Sequence, residues 1–347
     1  MNRYRVILNE VKNLIAWFGI QRFFALLRMT LLLLSFPCLG YSQQPYRVMF
    51  WNVENLFDTR DDPRKNDNEF LPDAKRRWIP YRYRDKLEKL AKTIVASGNE
   101  MEVPTLVGLC EVENDSCLYD LTRRTSLREA GYRFAITDSP DQRGIDVALL
   151  YQPGSFKLIT YHGIRIPHKQ LKKGPTRDIL HVVGEVPSGD TLDVFVCHMP
   201  SRSGGQAKSE PYRLLTASIL KHATDSVFRI RKNPYVLCMG DFNDYPNNAS
   251  LKRLCSDGRL QNLMKGRKDG TYLYRAKWGI LDQFIVSGTL LKRKSRIHTS
   301  AKQVQILRHS FLFQKGKPFR TYNGLKYQGG YSDHLPISVD LFLSTNH

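Results

Sequence analysis

The sequence lacks the features that mark several common classes of protein. No spacing between its six cysteines matches a zinc site, and residues 43–347 contain no internal repeat, low-complexity linker or break in composition. The apolar stretch that ends before residue 42 is too short to span a membrane. These absences argue against a zinc-stabilised module, a repeat array or a protein held by a membrane span, and they favour one large globular domain.

Acidic residues are also scarce relative to basic ones. The 347-residue chain has 33 Asp and Glu against 53 Lys and Arg, a formal net charge of +20. Removing residues 1–42 takes away five basic residues and one acidic residue, which leaves about +16. Such a surplus attracts polyanions, and the attraction weakens as salt is added. A basic surface that is merely well solvated is the alternative, because a hydrophobic content of 41% is that of an ordinary globular protein.

The five cysteines beyond residue 42 predict buried thiols rather than a disulfide framework. Their number is odd, and Cys110, Cys197 and Cys238 each lie inside an apolar run, where a thiol behaves as a small hydrophobic group. One disulfide that involves Cys117 or Cys255 stays open as an alternative if the compartment is oxidising.

The N-terminal 42 residues predict a targeting segment rather than part of the fold. Residues 29–42 have a short apolar core followed by small residues at Gly40 and Ser42, which is typical of a secretory signal cleaved after Ser42. We therefore expect a secreted or periplasmic protein with its true start at Met29 and a mature domain of residues 43–347. An uncleaved amphipathic anchor formed by residues 14–27 is the alternative.

The stretch Val236–Pro246 has the strongest chemical signal in the chain. Apolar residues continue to Met239, the run breaks at Gly240, and Asp241 and Asn243 follow two residues apart. A buried strand that ends in glycine and acidic residues is how an α/β protein places chemistry at the end of a strand. A carboxylate beside an amide suits hydrolysis at phosphorus, whereas the structural alternative is an Asx turn that satisfies the backbone.

Five other apolar runs end in polar groups in the same way. The end residues are Asn52, Glu111, His198, Asp282, and Asp333 with His334. Such residues are expensive to bury unless they are paired or bind a metal. Six strand ends of this kind in one chain indicate that the ends converge on one site.

The remaining pattern predicts an α/β domain of mixed, packed sheets with helices outside. Helical spacing of apolar residues predicts helices over residues 81–96, 115–130 and 210–231. Strand-like runs outnumber these helices and lie between them along the chain. That order favours a single domain in which sheets pack against each other.

Seven motifs resemble those of the endonuclease/exonuclease/phosphatase superfamily, which includes deoxyribonuclease I, sphingomyelinases and inositol phosphatases. They are Trp51-Asn-Val-Glu-Asn, Gly108-Leu-Cys-Glu-Val-Glu-Asn, Arg143-Gly-Ile-Asp-Val-Ala-Leu-Leu-Tyr, His198-Met-Pro-Ser-Arg, Gly240-Asp-Phe-Asn-Asp, Leu281-Asp-Gln and Ser332-Asp-His. The resemblance covers nearly all of the mature chain, and it implies a four-layered α/β sandwich like that of deoxyribonuclease I, with the site where the strand ends of two sheets meet.

The resemblance also implies a metal site made of oxygen ligands. Asn52 and Glu111 match metal-binding positions of the family, and Asp333 matches a second carboxylate on or near the ion. Because all these ligands are oxygens, Mg²⁺ or Mn²⁺ is the expected cation.

The catalytic positions follow from the same resemblance. Asp241 matches the residue that positions or deprotonates the attacking water, and Asn243 matches its phosphate-binding partner. Asp282 matches the carboxylate that orients His334, which then contacts the phosphate or transfers a proton. His198 matches a second histidine that donates to the phosphate or leaving group; a structural hydrogen-bonded histidine is its alternative.

Other side chains are candidates for contact with the substrate. Arg143 and Arg202 are able to grip phosphate as bidentate donors, although surface arginines are common in this chain. Tyr272 or Tyr274 could stack on a substrate or simply pack as aromatic side chains. The motif that begins at His198 lacks the asparagine or tryptophan that is expected near Met199 in close relatives, and this difference affects substrate contacts more than chemistry.

The leading hypothesis is a secreted or periplasmic, metal-dependent phosphodiesterase that hydrolyses DNA or RNA and works as a monomer without a membrane span. A phosphatase or phospholipase-like enzyme that acts on inositol phosphates or lipid headgroups is the second. The absence of a long apolar hairpin for membrane insertion counts against lipid. A non-catalytic protein that binds polyanions is the third, and it would be favoured by missing catalytic positions.

Overall fold

Strands make up most of the secondary structure. The computed structural model describes residues 45–98, 102–167 and 174–344. The strands before α3 are β1 Tyr46–Leu56, β2 Leu106–Val112, β3 Arg133–Ile136, β4 Asp146–Tyr151, β5 Lys157–Ile164, β6 Ile179–Glu185 and β7 Thr191–His198, where α3 is the helix Gln206–Ile230. The rest are β8 Tyr235–Asp241, β9 Leu260–Asn262, β10 Tyr272–Tyr274, β11 Lys277–Gly279, β12 Asp282–Ser287, β13 Ile297–His298, β14 Val304–Ile306, β15 Phe313–Gln314, β16 Lys317–Pro318, β17 Tyr322–Asn323, β18 Lys326–Tyr327 and β19 Ile337–Leu343.

Three of the four α-helices of the described residues fall where the sequence predicts them, and the short helix Ala249–Leu254 was not predicted. The four are α1 Pro80–Ala96, α2 Asp115–Arg123, α3 Gln206–Ile230 and α4 Ala249–Leu254. Asn114 caps α2 by accepting a hydrogen bond from the amide of Cys117, and the chain then continues as a short 3₁₀ helix, Ser126–Ala130. The predicted second helix is therefore two shorter ones. The third begins four residues earlier than predicted and tolerates Pro211 near its start.

Two mixed sheets form the centre of the fold. The first has the order β13–β19–β1–β2–β4–β3, with β14 also paired to β19, and the second has the order β5–β6–β7–β8–β12–β9. The pairs β1/β2 and β7/β8 are parallel, and the other pairs in these two sheets are antiparallel. Apolar residues of α1 and α2 join the core of the first sheet, whereas α3 and α4 cover the outer face of the second. This is the four-layered α/β sandwich that the sequence predicts.

The alternation of side chains along β8 separates the two cores. Leu237 and Met239 pack between the sheets, while Val236 and Cys238 pack beneath α3. The sheets approach closely at Gly108, where an added Cβ would lie 2.8 Å from the Cε atom of Met239. By the same alternation, Asp241 at the end of β8 faces the space between the sheets.

Strand register brings three predicted site residues into one row. In the parallel pair β7/β8, His198 lies opposite Asp241. In the antiparallel pair β8/β12, Asp241 lies opposite Asp282. The row therefore crosses three neighbouring strands at one end of the second sheet, which places His198, Asp241 and Asp282 side by side.

Two further expectations can be compared with the described residues. Their five cysteines are all free thiols, four of them buried and Cys255 half-buried, as predicted. None of the helices in the described ranges is long and apolar enough to cross a membrane. The predicted signal segment, residues 1–42, lies outside the described residues, so the cleavage site at Ser42 stays a prediction.

Candidate active site

One cleft gathers the predicted site residues. It lies where β1, β2, β7 and β8 end, and its volume is about 650 Å³. Nine of the ten predicted residues line it: Asn52, Glu111, Arg143, His198, Arg202, Asp241, Asn243, Asp333 and His334. Asp282, the tenth, lies behind His334 and contacts its ring. The structure therefore brings all ten together, and their chemical roles remain predictions.

Asp241 is the residue on which the polar contacts of the cleft converge. Its Oδ1 accepts a hydrogen bond from the backbone amide of Asn243 at 2.9 Å, and its Oδ2 accepts one from Nδ2 of Asn52 at 3.1 Å. The Nε2 atoms of His198 and His334 lie 3.7 and 3.8 Å from the same Oδ2. The side chain of Asp241 is 3% exposed, so its orientation is fixed from both sheets.

Asp282 and His334 form a buried carboxylate–imidazole pair. Nδ1 of His334 lies 2.9 Å from Oδ2 of Asp282, and both side chains are buried. The ring of Tyr272 lies 4.7 Å from the imidazole, centroid to centroid. With Nδ1 engaged in this way, Nε2 is the atom that His334 presents to Asp241 and the cleft.

The ligand atoms of Asp241, Asp282 and His334 lie within 4.8 Å of one another, close enough to hold a cation. However, Nδ1 of His334 is already committed to Asp282, and an imidazolium supplies the positive charge between the two carboxylates. We therefore read this group as a hydrogen-bonded row rather than as a set of metal ligands.

Burial and neighbouring charges separate the pKa values in this row. Burial, reinforced by Asp282, raises the pKa of Asp241 to about 7, although His334 partly offsets the effect. Burial disfavours the charged form of His334, but Asp282 and Asp241 outweigh it and raise the pKa of this histidine well above its ordinary value. A carboxylate poised near neutrality beside a protonated imidazole is the arrangement expected of an acid–base site.

His198 is the neutral histidine of the cleft. Burial, together with the positive charges of Arg177 and Arg143, holds its pKa well below the ordinary value. Its Nε2 lies 3.9 Å from Oε1 of Glu111 and 3.7 Å from Asp241, distances longer than hydrogen bonds. Nε2 therefore faces the gap between these two carboxylates, where it can contact a bound ligand.

Glu111 is the carboxylate best suited to a divalent cation. Its Oε2 accepts a hydrogen bond from the amide of Asn55 at 3.0 Å, while no described residue donates a hydrogen bond to its Oε1. The side chain is only 13% exposed, and Oδ1 of Asn52, beside the register irregularity within β1, is a second oxygen in the cleft. A largely buried carboxylate with one oxygen unsatisfied fits a hard cation with oxygen ligands.

Strained backbone marks the walls of the cleft. Glu54, Asn55, Glu111 and Asn243 have positive φ values between 50° and 63°, although none is glycine. The left-handed conformation is costly for such residues and persists only where the surroundings impose it. At Glu111 it coincides with an irregularity in the β1/β2 and β2/β4 registers, which turns the side chain into the cleft.

Asp333 belongs to a charged network that the sequence did not reveal. Its Oδ2 accepts a hydrogen bond from Nη2 of Arg320 at 3.0 Å, and the same guanidinium donates from Nε to Glu54 at 3.2 Å. Burial, with Asp333 as the next cause, raises the pKa of Glu54 to about 7. The network fixes Asp333 at the rim of the cleft.

Lys86 is a second residue that sequence reasoning missed. Its ammonium group is buried under the same network and donates hydrogen bonds to the hydroxyl of Thr321 and the carbonyl of Tyr331. Burial lowers its pKa to about 8, although Glu54 and Asp333 act in the opposite direction. A signal was present in the sequence, because residue 86 falls on the buried face of α1, next to Leu87 and Leu90.

Buried charges help to hold the loop after β8 in place, together with the buried ring of Phe242. Arg202 donates to the carbonyl of Asn243 at 2.9 Å and to Asp244 at 3.0 Å, and its guanidinium stacks over the ring of Tyr245. Arg213 of α3, fully buried, forms an ion pair with Asp244 at 2.9 Å. Arg202 thus lines the cleft but is engaged with the loop that carries Asn243.

Arg143 has a different position. Its side chain is about half exposed, donates to Oδ1 of Asn55 at 2.6 Å and lies 3.6 Å from Oε2 of Glu111. It therefore reaches over the mouth of the candidate metal site. Nearby Arg177 is buried instead, with bonds to Asp141 and the carbonyl of Met199, and was not predicted.

The chain belongs to the Endonuclease/Exonuclease/phosphatase family, whose profile matches residues 47–342. Members of this family are metal-dependent hydrolases of phosphoric esters, and the cleft described above contains the acid–base and oxygen-ligand groups that such chemistry requires. The protein is therefore a phosphoric ester hydrolase. No curated protein sequence matches it significantly.

Solved structures with the same fold come from several kinds of enzyme. A mannosyl-6-phosphatase from Bacteroides thetaiotaomicron is 15% identical with a TM-score of 0.56, over 86% of this chain and 99% of that one. The human Nocturnin catalytic domain with bound sulfate is 20% identical with a TM-score of 0.56, over 86% and 95%. TDP2 from D. rerio, solved with a single strand DNA product, is 12% identical with a TM-score of 0.53, over 85% and 98%. At these identities the likeness shows the shared fold.

Proposed function

We propose that this protein is a secreted, Mg²⁺- or Mn²⁺-dependent phosphodiesterase that hydrolyses nucleic acid. The observation that carries the proposal is the row of Asp241, His334 and Asp282 facing Glu111 across one cleft. The row supplies a base and an acid, and Glu111 with Asn52 and Asp333 supplies oxygen ligands. When bound there, the cation would polarise the phosphoryl group and offset its charge.

Asp241 accepts the proton of the attacking water in this proposal. Its carboxylate is held by Asn243 and Asn52, so the oxygen that faces the cleft has a fixed direction. A pKa of about 7 makes the group a stronger base than an exposed aspartate while leaving it largely ionised in mildly alkaline solution. Water bound beside Oδ2 would therefore lose its proton as its oxygen attacks phosphorus.

His334, His198 and Asn243 are assigned to the phosphoryl oxygens and the leaving group. Protonated His334 presents an Nε2–H to the cleft because Asp282 holds Nδ1. Neutral His198 presents Nε2 from the opposite side of Asp241. The amide of Asn243 uses one hydrogen for the carbonyl of Met199, which leaves the other for a phosphate oxygen.

The basic composition favours a polynucleotide over a small ester. The net charge of about +16 that remains without residues 1–42 would attract a polyanion, whereas a single phosphate monoester needs only a local site. The similar fold solved with single strand DNA adds support to this choice of substrate. Secretion is proposed from the apolar segment before Ser42, and mass spectrometry of the mature N-terminus tests it, since an intact Met1 would contradict it.

The substrate assignment is tested with plasmid DNA, RNA and an inositol phosphate, each incubated with the purified protein in Mg²⁺ and in chelator. Metal-dependent cleavage of either polynucleotide, lost in Asp241→Ala, is the expected result. Release of phosphate from the inositol ester, with both polynucleotides intact, would contradict the nuclease proposal and assign the protein to the phosphatases of the family. Binding without hydrolysis of any substrate would contradict both.

A further inference from the structure

Most of the basic surplus lies in one segment of the chain. Residues 265–327 contain fifteen Lys and Arg but only two acidic residues, Asp269 and Asp282. This segment alone supplies a charge of +13 out of the net +20. Because Asp282 is buried behind His334, the surface of the segment is almost free of negative charge.

The segment contains short hairpins whose strands are joined by two-residue turns, and two of these hairpins carry Lys or Arg side chains at or next to the turn. Hairpin β10/β11 exposes Arg275 and Lys277, and hairpin β15/β16 exposes Lys315 and Lys317. Within the described ranges, none of these four side chains has an acidic partner within 4.0 Å. Their charges are therefore available to a ligand rather than neutralised within the fold.

A chain of ring contacts connects these hairpins to the cleft. Tyr272 and Tyr274 of β10 line the cleft, and the ring of Tyr272 packs against His334. On the other strand of the hairpin, Trp278 lies 6.4 Å from Phe313 of β15, centroid to centroid. The guanidinium of Arg308 covers Trp278 at 4.6 Å. Contacts between aromatic and basic side chains thus connect His334 to the first hairpin and the first hairpin to the second.

The tip of the first hairpin is strained. Arg275 and Ala276 have φ values of 46° and 63°, and neither is the glycine or asparagine that such a turn favours. Next to them, Tyr274 is 58% exposed although it carries a large aromatic ring. A costly turn that presents an arginine and an exposed aromatic ring beside the cleft indicates a binding role rather than a folding role.

We propose that this surface binds single-stranded nucleic acid and leads it into the cleft. We define it as the hairpin track: Tyr274, Arg275, Lys277, Trp278, Lys315 and Lys317. The inference rests on the proposed function and assigns where the polymer lies beyond the hydrolysed phosphate. Cations beside an exposed aromatic ring suit a single strand, because its phosphates pair with the cations and an unstacked base packs on the ring of Tyr274. A duplex hides those base faces.

The same segment provides a matched control. Lys292, Arg293 and Lys294 are exposed and basic, but they lie at the opposite end of the sandwich. Their neighbour Arg296 bonds to Ser188 and Asp190 in the turn that precedes β7, whereas the cleft lies at the far end of that strand. Removing these three charges lowers the net charge by as much as removing three from the track.

Binding of a fluorescent single-stranded oligonucleotide in chelator tests the track apart from hydrolysis. The substitutions Lys277→Ser, Lys315→Ser and Lys317→Ser together should weaken binding about 10- to 100-fold at moderate salt and reduce the log–log salt slope by about 2. The triple change at Lys292, Arg293 and Lys294 should weaken it by less than about threefold. Equal losses in the two triple variants would overturn the inference.

Tyr274 tests the single-strand preference. Tyr274→Ser should weaken single-strand binding about tenfold and leave duplex binding unchanged, while Tyr274→Phe should match the parent protein. Equal losses for single strand and duplex would overturn the stacking role.

Hydrolysis of bis(p-nitrophenyl) phosphate separates the two proposals. The triple variant at Lys277, Lys315 and Lys317, none of which lines the cleft, should keep its rate on this small diester. A loss there as large as the loss on the polymer would show that the variant disturbs the site and would contradict the track. If the parent protein binds through the track but cleaves no polynucleotide, the proposed function fails while the track stands.

Discussion

His334 and Asp282 are joined by a 2.9 Å contact from Nδ1 to Oδ2, and this contact decides which atom of the imidazole faces the cleft. Asp241 lies opposite Asp282 in the β8/β12 register, so the two carboxylates approach the same ring from different sides. The pair keeps His334 protonated, which leaves Asp241 as the group that can take up a proton near neutral pH. His334 lies between the two carboxylates: Asp282 holds its Nδ1, and Asp241 faces its Nε2.

Asp282→Asn should keep the shape of this pair while removing its charge. An amide oxygen can still accept from Nδ1, but His334 would lose the charge that raises its pKa. We expect kcat/KM to fall about 100-fold, and the alkaline limb of the pH profile to move to lower pH, because the protonated donor is lost earlier as pH rises.

Asp193→Asn is the control for this change. Asp193 forms a similar buried pair with His181, at 3.0 Å, between β6 and β7 on the face away from the cleft. It should affect stability without moving the pH profile. An unchanged alkaline limb in Asp282→Asn would contradict the role of Asp282.

Metal binding should depend on Glu111. Glu111→Gln removes the anionic ligand but keeps the size of the side chain, so added Mg²⁺ or Mn²⁺ should no longer raise the melting temperature. Glu69→Gln, at an exposed ion pair with Arg76, is the matched control and should respond to the metals as the parent does. A full thermal shift in Glu111→Gln would place the cation elsewhere.

Without metal, the protein should be more stable near pH 6.5 than near pH 8. The folded-state pKa is about 7 for Asp241 and Glu54 and about 8 for Glu113, all raised first by burial. Their unfolded values are near 4, so lowering the pH across this window protonates the folded state alone. The free energy of unfolding should then increase by about 1–3 kcal/mol.

The increase in stability on lowering the pH should stop near about pH 6.5, because protonation of a histidine then acts in the opposite direction. His198 has a depressed pKa, so below about pH 6.5 the unfolded state takes up its proton and stability is lost. Denaturant unfolding in chelator at the two pH values measures the difference. Greater stability at pH 8 would contradict the raised carboxyl pKa values, and Glu54→Gln should reduce the difference by removing one of them.

Lys86→Met should destabilise the fold by about 3 kcal/mol. The change removes the donor to Thr321 and Tyr331 and leaves the buried charge of Glu54 less compensated. Lys89→Met, three residues further along α1, breaks only a partly exposed pair with Asp85 and should cost about 0.5 kcal/mol. Equal effects in a denaturant titration would mean that Lys86 does not support the loop beneath Asp333.

The sequence allowed the strand ends to be predicted, because an apolar run that stops at Glu111 or Asp241 has few physical explanations. It could not place those ends relative to one another. The row across β7, β8 and β12 depends on a strand register that no local pattern encodes, and on the bulge that turns Glu111 inward. The six polar strand ends indicated one common site, and the family resemblance added the role expected of each residue there.

The residues that were missed act across long sequence separations. Lys86 meets Thr321 and Tyr331 more than two hundred residues away, so its pattern on α1 indicated burial but not its partners. The hairpin β17/β18 had a local signal, Asn323-Gly324, yet its strands of two residues are too short for periodicity to detect. Short paired segments are therefore where sequence patterns carried the least information.

The most direct test of the account is the rate at which Asp241→Asn hydrolyses a single-stranded polynucleotide in Mg²⁺, measured beside the parent protein and beside its own unfolding curve. The account predicts a rate lower by about 10²–10⁴-fold in a variant that still unfolds cooperatively. A folded Asp241→Asn variant that keeps the parent rate would contradict the assignment of this cleft as the site of hydrolysis.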